Sequence, residues 1–270
     1  MTSLHPKPMP VPGAKLPSML PEKNAASEPE VSSRILPWLA WLAYLLLGRM
    51  VIPWHFRQIR IQGQEHLPRS GAVILAPMHR SRWDALIVPY ATGRRVTGRD
   101  VHFMVSLNEI KGLQGWFIRR LGGFPVNSDQ PGRMRSLASS IRHSVDLLCQ
   151  RKMMVVFPEG NIFRCRDLQP LKTGIAHIAL QAAQAEEMEV QIVPMGLAYD
   201  QTYPCQGSSV AVHIAPPLST QSYAHLSHKQ AVKAITEDLT RSLLAVNPLL
   251  DLPQPPSEQS RAAQNLSQQG

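Results

Sequence analysis

An α/β domain is the fold class that this 270-residue chain predicts, and three observations carry the expectation. Short continuous apolar runs, AVILA at 72–76 and MMVVF at 153–157, have the length and side-chain type of strands buried on both faces. Longer stretches carry apolar residues at helical spacing, as in Met134, Leu137, Ile141, Val145 and Leu148. Both apolar runs end in turn-forming residues, and strands alternating with helices build a mixed, largely buried β-sheet flanked by helices.

In chain order, residues 1–34 are rich in Pro, Ser, Lys and Glu and bury too little to offset ordering entropy, which predicts a disordered arm without the layout of a secretory signal. Ile35 to Leu47 is uncharged, carries Trp38, Trp41 and Tyr44, and is flanked by Arg34 and Arg49. As a helix it reaches roughly 20 Å, short of a hydrocarbon core of about 30 Å. Arg49 and Pro53 interrupt any extension, so residues 35–54 read as a membrane-associating helical segment lying in or re-entering the interface; an ordinary buried helix is the other reading.

Residues 55–250 form the α/β domain. Gln58 to Gln62 alternates as a strand, and Ala72 to Ala76 delivers Pro77 and His79 to a strand end. Trp83, Leu86 and Ile87 place Asp84 in the first turn of the next helix. Strands at Val101 to Val105, Gly122 to Val126, Met153 to Phe157, Val190 to Met195 and Val210 to Ile214 alternate with helices at Met134 to Leu148, Thr173 to Ala185 and His228 to Val246, and Ile110 to Leu121 reads as a short amphipathic helix or a loop with an exposed Arg119–Arg120 pair. The polar tail, 251–270, is expected to be disordered.

Apolar residues make up 44% of the chain, enough for a core, and three widely spaced cysteines suggest neither a disulfide framework nor a zinc knuckle. The net charge of +9 is local: Arg49 to Arg135 holds 14 Lys and Arg against 5 Asp and Glu, while the remainder is balanced at 14 of each. Such a surplus attracts anionic headgroups, phosphorylated substrates or nucleic acid. Nucleic acid is disfavoured, because apolar strands interrupt the basic region and no binding module is recognisable.

The chemistry concentrates in APMHRSRWD at 76–84. An imidazole, with an ordinary pKa of about 6.5, accepts a proton near neutrality, and a neighbouring carboxylate fixes its tautomer and favours the imidazolium. His79 in the turn and Asp84 on the helix suit that pairing, although a structural histidine explains an HxxxxD spacing taken alone. No further clustered ligands suggest a metal, no cofactor is implied, and no GxSxG suggests a serine nucleophile; Ser81 is a hydrogen-bond partner. The second turn, FPEGN at 157–161, offers Glu159, Gly160 and Asn161, followed by Arg164, Arg166 and Lys172, a set suited to anion binding or to a plain helix cap.

Together these stretches resemble the glycerophospholipid acyltransferase family, best known for 1-acylglycerol-3-phosphate acyltransferases. VILAPMHRSRWD is similar to its NHxSxxD-type first block, with His79, Ser81 and Asp84 matching and Met78 replacing the asparagine. FPEGN, with Leu168, Pro170, Lys172 and Gly174 behind it, resembles the third block, and IVPMG, with Pro194, the fourth. In GWFIRRLGGFPVNSD the phosphate-gripping arginine of the second block aligns with Ser128, leaving Arg133 or Arg135 as nearby basic residues.

The resemblance implies a membrane-associated acyltransferase on the cytoplasmic face, peripheral or monotopic. His79, oriented by Asp84, would deprotonate the free hydroxyl of a lysophospholipid such as 1-acylglycerol 3-phosphate, which then attacks the thioester of acyl-CoA or acyl-carrier protein. It implies substrate contacts from Ser81, Arg133, Glu159, Gly160, Asn161, Arg164 and Lys172, with no metal. Alternatives are an acyltransferase with another acceptor (glycerol 3-phosphate, another lysophospholipid or an amine-bearing lipid), a lipid hydrolase, and a catalytically silent peripheral lipid-binding protein.

Overall fold

The computed structural model describes residues 33–106, 112–126 and 133–246, the side chains of 133–136 excepted. The chain divides into Met1–Glu30 and Val31–Gly270, and the described residues all belong to the second unit. Residues 1–32 of the expected disordered arm and the tail 251–270 lie outside the description.

The second unit opens with helix α1 (Pro37–Leu46), a π-helical turn (Leu47–Val51) and a short helix α2 (Ile52–His55). Helical turns thus run past both residues expected to interrupt them. Arg49 falls in the wider π turn, and Pro53 takes the second position of α2, where a missing N–H breaks no intrahelical bond. Among the described residues, no helix is long and apolar enough to cross a membrane.

The sheet follows: β1 (Phe56–Gln62), β2 (Ala72–Pro77), then α3 (Asp84–Thr92) and α4 (Arg94–Thr97), β3 (Val101–Ser106), α5 (Gly112–Arg120), β4 (Gly123–Val126), α6 (Arg133–Cys149), β5 (Met153–Val155), α7 (Gly174–Ala185), β6 (Val190–Tyr199), β7 (Ser208–Ile214), β8 (Leu218–Ser219) and α8 (His228–Ala245). Spatial order is β1-β7-β6-β2-β5-β3-β4, with β8 paired to β6. The pairs are parallel except β6 with β7 and β6 with β8.

Strand β2 is central and buried throughout, which explains its unbroken apolar sequence. Ile74 and Ala76 face one core, built with α6, α7 and α8, whereas Val73 and Leu75 face the other, with Ile52, Ile87 and Val88. Val73, Ile74 and Leu75 each contribute about 1.5–3 kcal/mol on burial. Strand β6 exceeds the expected Val190 to Met195: its first half pairs with β2, and its second half continues along β7 to Tyr199. Strand β5 is shorter than expected, because its partner register with β2 ends at Leu75 and Val155.

That register decides where chemistry can gather. Strands β2 and β5 are parallel neighbours, so the chain leaves both at the same, carboxyl-terminal end of the strands. His79 and Glu159, 80 residues apart in sequence, emerge side by side.

Candidate active site

The turn after β2 is tied down before it reaches the helix: the Met78 amide donates to the Met195 carbonyl (2.9 Å), and the His79 amide donates to Glu159 Oε2 (2.9 Å). His79 Nδ1 then lies 2.9 Å from Asp84 Oδ2. Asp84 is the first residue of α3 and is 0% exposed. Its Oδ2 also accepts from the backbone amides of Arg80 (2.6 Å) and Ser81 (2.8 Å), and its Oδ1 accepts from the Tyr199 hydroxyl (2.6 Å). The amide donors and the N-terminus of α3 present positive partial charge to the carboxylate.

A carboxylate surrounded by donors is an acceptor, so the imidazole proton of neutral His79 belongs on Nδ1. The lone pair then sits on Nε2, which has no hydrogen-bond partner among the described residues, on a side chain 16% exposed. The ring also stacks on Phe157, centroids 3.7 Å apart and planes 15° from parallel. Both edges of the imidazole's freedom are thereby removed: the carboxylate sets its rotation and the phenyl its plane.

The FPEGN turn packs against this stretch. Glu159 is 2% exposed and spends its oxygens within the protein, accepting from Arg80 Nη1 (2.8 and 3.0 Å), the His79 amide and the Gln169 amide (2.9 Å). Arg80 Nη2 donates to the Asp167 carbonyl (3.2 Å), and the Phe163 amide to the His79 carbonyl (2.8 Å). Ser81 is likewise buried, its Oγ accepting from the Trp83 amide at 3.3 Å. Glu159, expected to touch substrate, ties the two turns to each other, and Ser81, for which the same is expected, bonds within its own turn.

The remaining predicted residues divide by exposure. Gly160 has φ +73°, the left-handed region that favours glycine, and the Lys172 chain passes over it so closely that a Cβ would lie 2.7 Å from Nζ. Asn161, Arg164 and Lys172 are exposed; Asn161 Oδ1 accepts from the Ile162 amide (2.8 Å), and the Arg164 guanidinium lies 5.0 Å from the Tyr203 ring centroid. The side chain of Arg133, at the start of α6, lies outside the described residues, as do Ser128 and the side chain of Arg135.

Three contributors escape a reading of the sequence. Tyr199 reaches Asp84 from the end of β6, and burial together with the adjacent carboxylate pushes its phenol well above the ordinary tyrosine range. The signal was the apolar run continuing past IVPMG, which carries the strand as far as Tyr199. Phe157 and Arg80 were visible as residues, but their contacts depend on the β2–β5 register. Trp83, just before Asp84, stacks on His55 of α2 (centroids 3.9 Å), so the N-terminal helices abut the site. Burial lowers the His55 pKa, and its Nε2 is buried without a partner among the described residues.

A family model described as Acyltransferase matches residues 58–198. The chain is 26% identical over 201 residues to a 1-acyl-sn-glycerol-3-phosphate acyltransferase of Bacillus subtilis (strain 168), covering 72% of this chain and 90% of that protein. It is 25% identical over 198 residues to a Homo sapiens protein named 1-acyl-sn-glycerol-3-phosphate acyltransferase alpha, covering 70% of this chain and 63% of that one. The crystal structure of the 1-acyl-sn-glycerophosphate (LPA) acyltransferase PlsC from Thermotoga maritima shares the fold, with a TM-score of 0.59 at 19% identity over 76% of this chain and 78% of that one.

Proposed function

The chain belongs to the acyltransferase family, and from that premise we propose that it moves a fatty acyl group from acyl-CoA or acyl-carrier protein to the free hydroxyl of a lysophospholipid, 1-acylglycerol 3-phosphate by preference. The observation that carries the proposal is the 2.9 Å contact between His79 Nδ1 and the buried Asp84 carboxylate, which leaves Nε2 as the proton acceptor.

Nε2 takes the hydroxyl proton as that oxygen bonds to the thioester carbonyl carbon. The tetrahedral adduct collapses by breaking the C–S bond, and the departing thiolate takes the proton back from the imidazolium. The products are the acylated lipid and free thiol, and His79 returns to its starting state. Asp84, held by Tyr199 and the two amides, stabilises the imidazolium during the transfer. Glu159 and Arg80 act through the backbone of the His79 turn.

Arg164 and Lys172, exposed on the adjoining turn, serve to hold substrate phosphate together with Gly160, Asn161 and Arg133, a role suited to their charge and polarity. The helices from Pro37 to His55 lie in the membrane interface, placing the site where lysolipid resides. Purified full-length protein, labelled acyl donors of both kinds and a panel of lysolipids test the reading. The expected product requires both a thioester donor and a lysolipid; release of free fatty acid without an acceptor would assign hydrolysis instead.

A further inference from the structure

We propose that helix α5 is a second membrane-seating element, which together with the α1–α2 helices docks the enzyme on a bilayer containing anionic lipid. The inference rests on the membrane reading given above and extends it to a helix 60 residues further along the chain, to which that reading assigned no such role.

Helix α5 presents Leu113, Trp116 and Phe117 to solvent, Leu113 at 74% exposure. They recur at i, i+3 and i+4, so they form one face, and Arg120 at i+7 continues it. The Arg120 guanidinium lies 5.8 Å from the Trp116 ring centroid, an aromatic and a cation side by side. Trp116 and Phe117 remain 43% and 41% exposed, so the face is open to solvent along its length.

This face is joined to the N-terminal helices rather than isolated. The Leu36 amide donates to the Arg120 carbonyl at 3.0 Å, and Ile35 packs so close to Gly122 that a Cβ there would sit 3.1 Å from its Cδ1. The start of α1 is therefore fastened to the end of α5. On the N-terminal helices Trp38 and Trp54 are exposed by 62% and 71%.

Charge selects the occupant. Neither residues 33–64 nor residues 112–126 contain an acidic residue, while Arg34, Arg49, Arg57, Arg60, Arg119 and Arg120 lie within them. Exposed tryptophans on segments that carry arginines and no acidic residue of their own complement the headgroup region of an anionic bilayer, where indole and guanidinium groups partition well. A second copy of the chain would bring the same positive charge to itself.

The test is cosedimentation of the full chain with phosphatidylcholine vesicles, with and without phosphatidylglycerol, for wild type, Leu113→Ser/Trp116→Ser/Phe117→Ser, and Arg119→Gln/Arg120→Gln. The apolar triple variant is expected to lose about tenfold or more in partitioning, and the arginine variant roughly tenfold of its preference for phosphatidylglycerol. Unchanged circular dichroism and melting show that the fold is kept, and the single variant Leu113→Ser, at the most exposed position, repeats the comparison should the triple variant misfold. Wild-type binding with undiminished binding of the α5 variants overturns the role of α5 while the membrane reading stands. No binding by wild type overturns both. Loss of self-association in the triple variant with vesicle binding intact would assign the face to a second copy and also overturn the proposal.

Discussion

Asp84 is the pivot of the site, because its carboxylate joins the His79–Ser81 turn to Tyr199 at the end of β6. Asp84→Asn puts an NH2 either at the Oδ2 position, where it opposes the Arg80 and Ser81 amides and the His79 Nδ1 proton, or at Oδ1, where the Tyr199 hydroxyl must turn to accept, and the charge is lost in either case. Acyl transfer is expected to fall by about 10²–10⁴-fold, and initial rates near those of wild type would remove Asp84 from the mechanism. Tyr199→Phe deletes one donor and keeps the ring. Its expected effect is milder, about tenfold in kcat (roughly 1.4 kcal/mol) with KM for both substrates unchanged, as read by steady-state kinetics. A rise in KM alone would make Tyr199 a substrate contact. The His79–Asp84 pair was legible because both residues lie within one short stretch whose chemistry is local. Tyr199 was not, since its hydroxyl arrives from 115 residues away and only the β6 pairing shows it.

Among the elements, the parallel pairing of β2 with β5 does most to assemble the site. It places the Arg80–Glu159 pair beyond the carboxyl ends of the two strands, out of solvent, where an ion pair broken on one side leaves a buried charge uncompensated. Glu159→Ala is expected to cost roughly 3–5 kcal/mol of stability, measurable as a shifted denaturation midpoint, and to reduce activity through the displaced His79 turn. A variant as stable as wild type but inactive would return Glu159 to the substrate-binding role. Continuous apolar runs made β2 and β5 readable, since burial on both faces leaves no alternation to misread. The N-terminal helices were harder. In the sequence Pro53 stands in the way of a continued helix, yet a proline in the first turn of a new helical segment costs no hydrogen bond, and Gly48 lets Arg95 pack against the intervening π turn.

At the scale of the whole molecule, stability should depend on pH through a buried cluster outside the site. His102 on β3 is 5% exposed, and Ser33 Oγ bridges its Nδ1 (2.9 Å) and His143 Nε2 (3.0 Å). Burial, with His143 and Lys152 nearby, lowers the His102 pKa to about 4 against an opposing pull from Asp100. In the unfolded chain the same imidazole takes up its proton near 6.5. Between these values the unfolded state binds more protons, so the stability present above pH 6.5 is lost as pH falls and levels off below about 4, a loss of roughly 3 kcal/mol. Urea midpoints across that window should show the slope, and His102→Asn, which cannot titrate, should flatten it; an equal slope in the variant would place the linkage elsewhere.

On the proposed function, the sheet and its flanking helices hold His79 at the carboxyl ends of the central strands to remove a hydroxyl proton. The most direct measurement is transfer of a labelled acyl group from its thioester to 1-acylglycerol 3-phosphate by wild type and by His79→Ala, with melting curves confirming that both are folded. The expected result is a wild-type product that requires the lysolipid and falls by about 10²–10⁴-fold in the variant. Folded His79→Ala protein that transfers at the wild-type rate would contradict the assignment of His79 as the base.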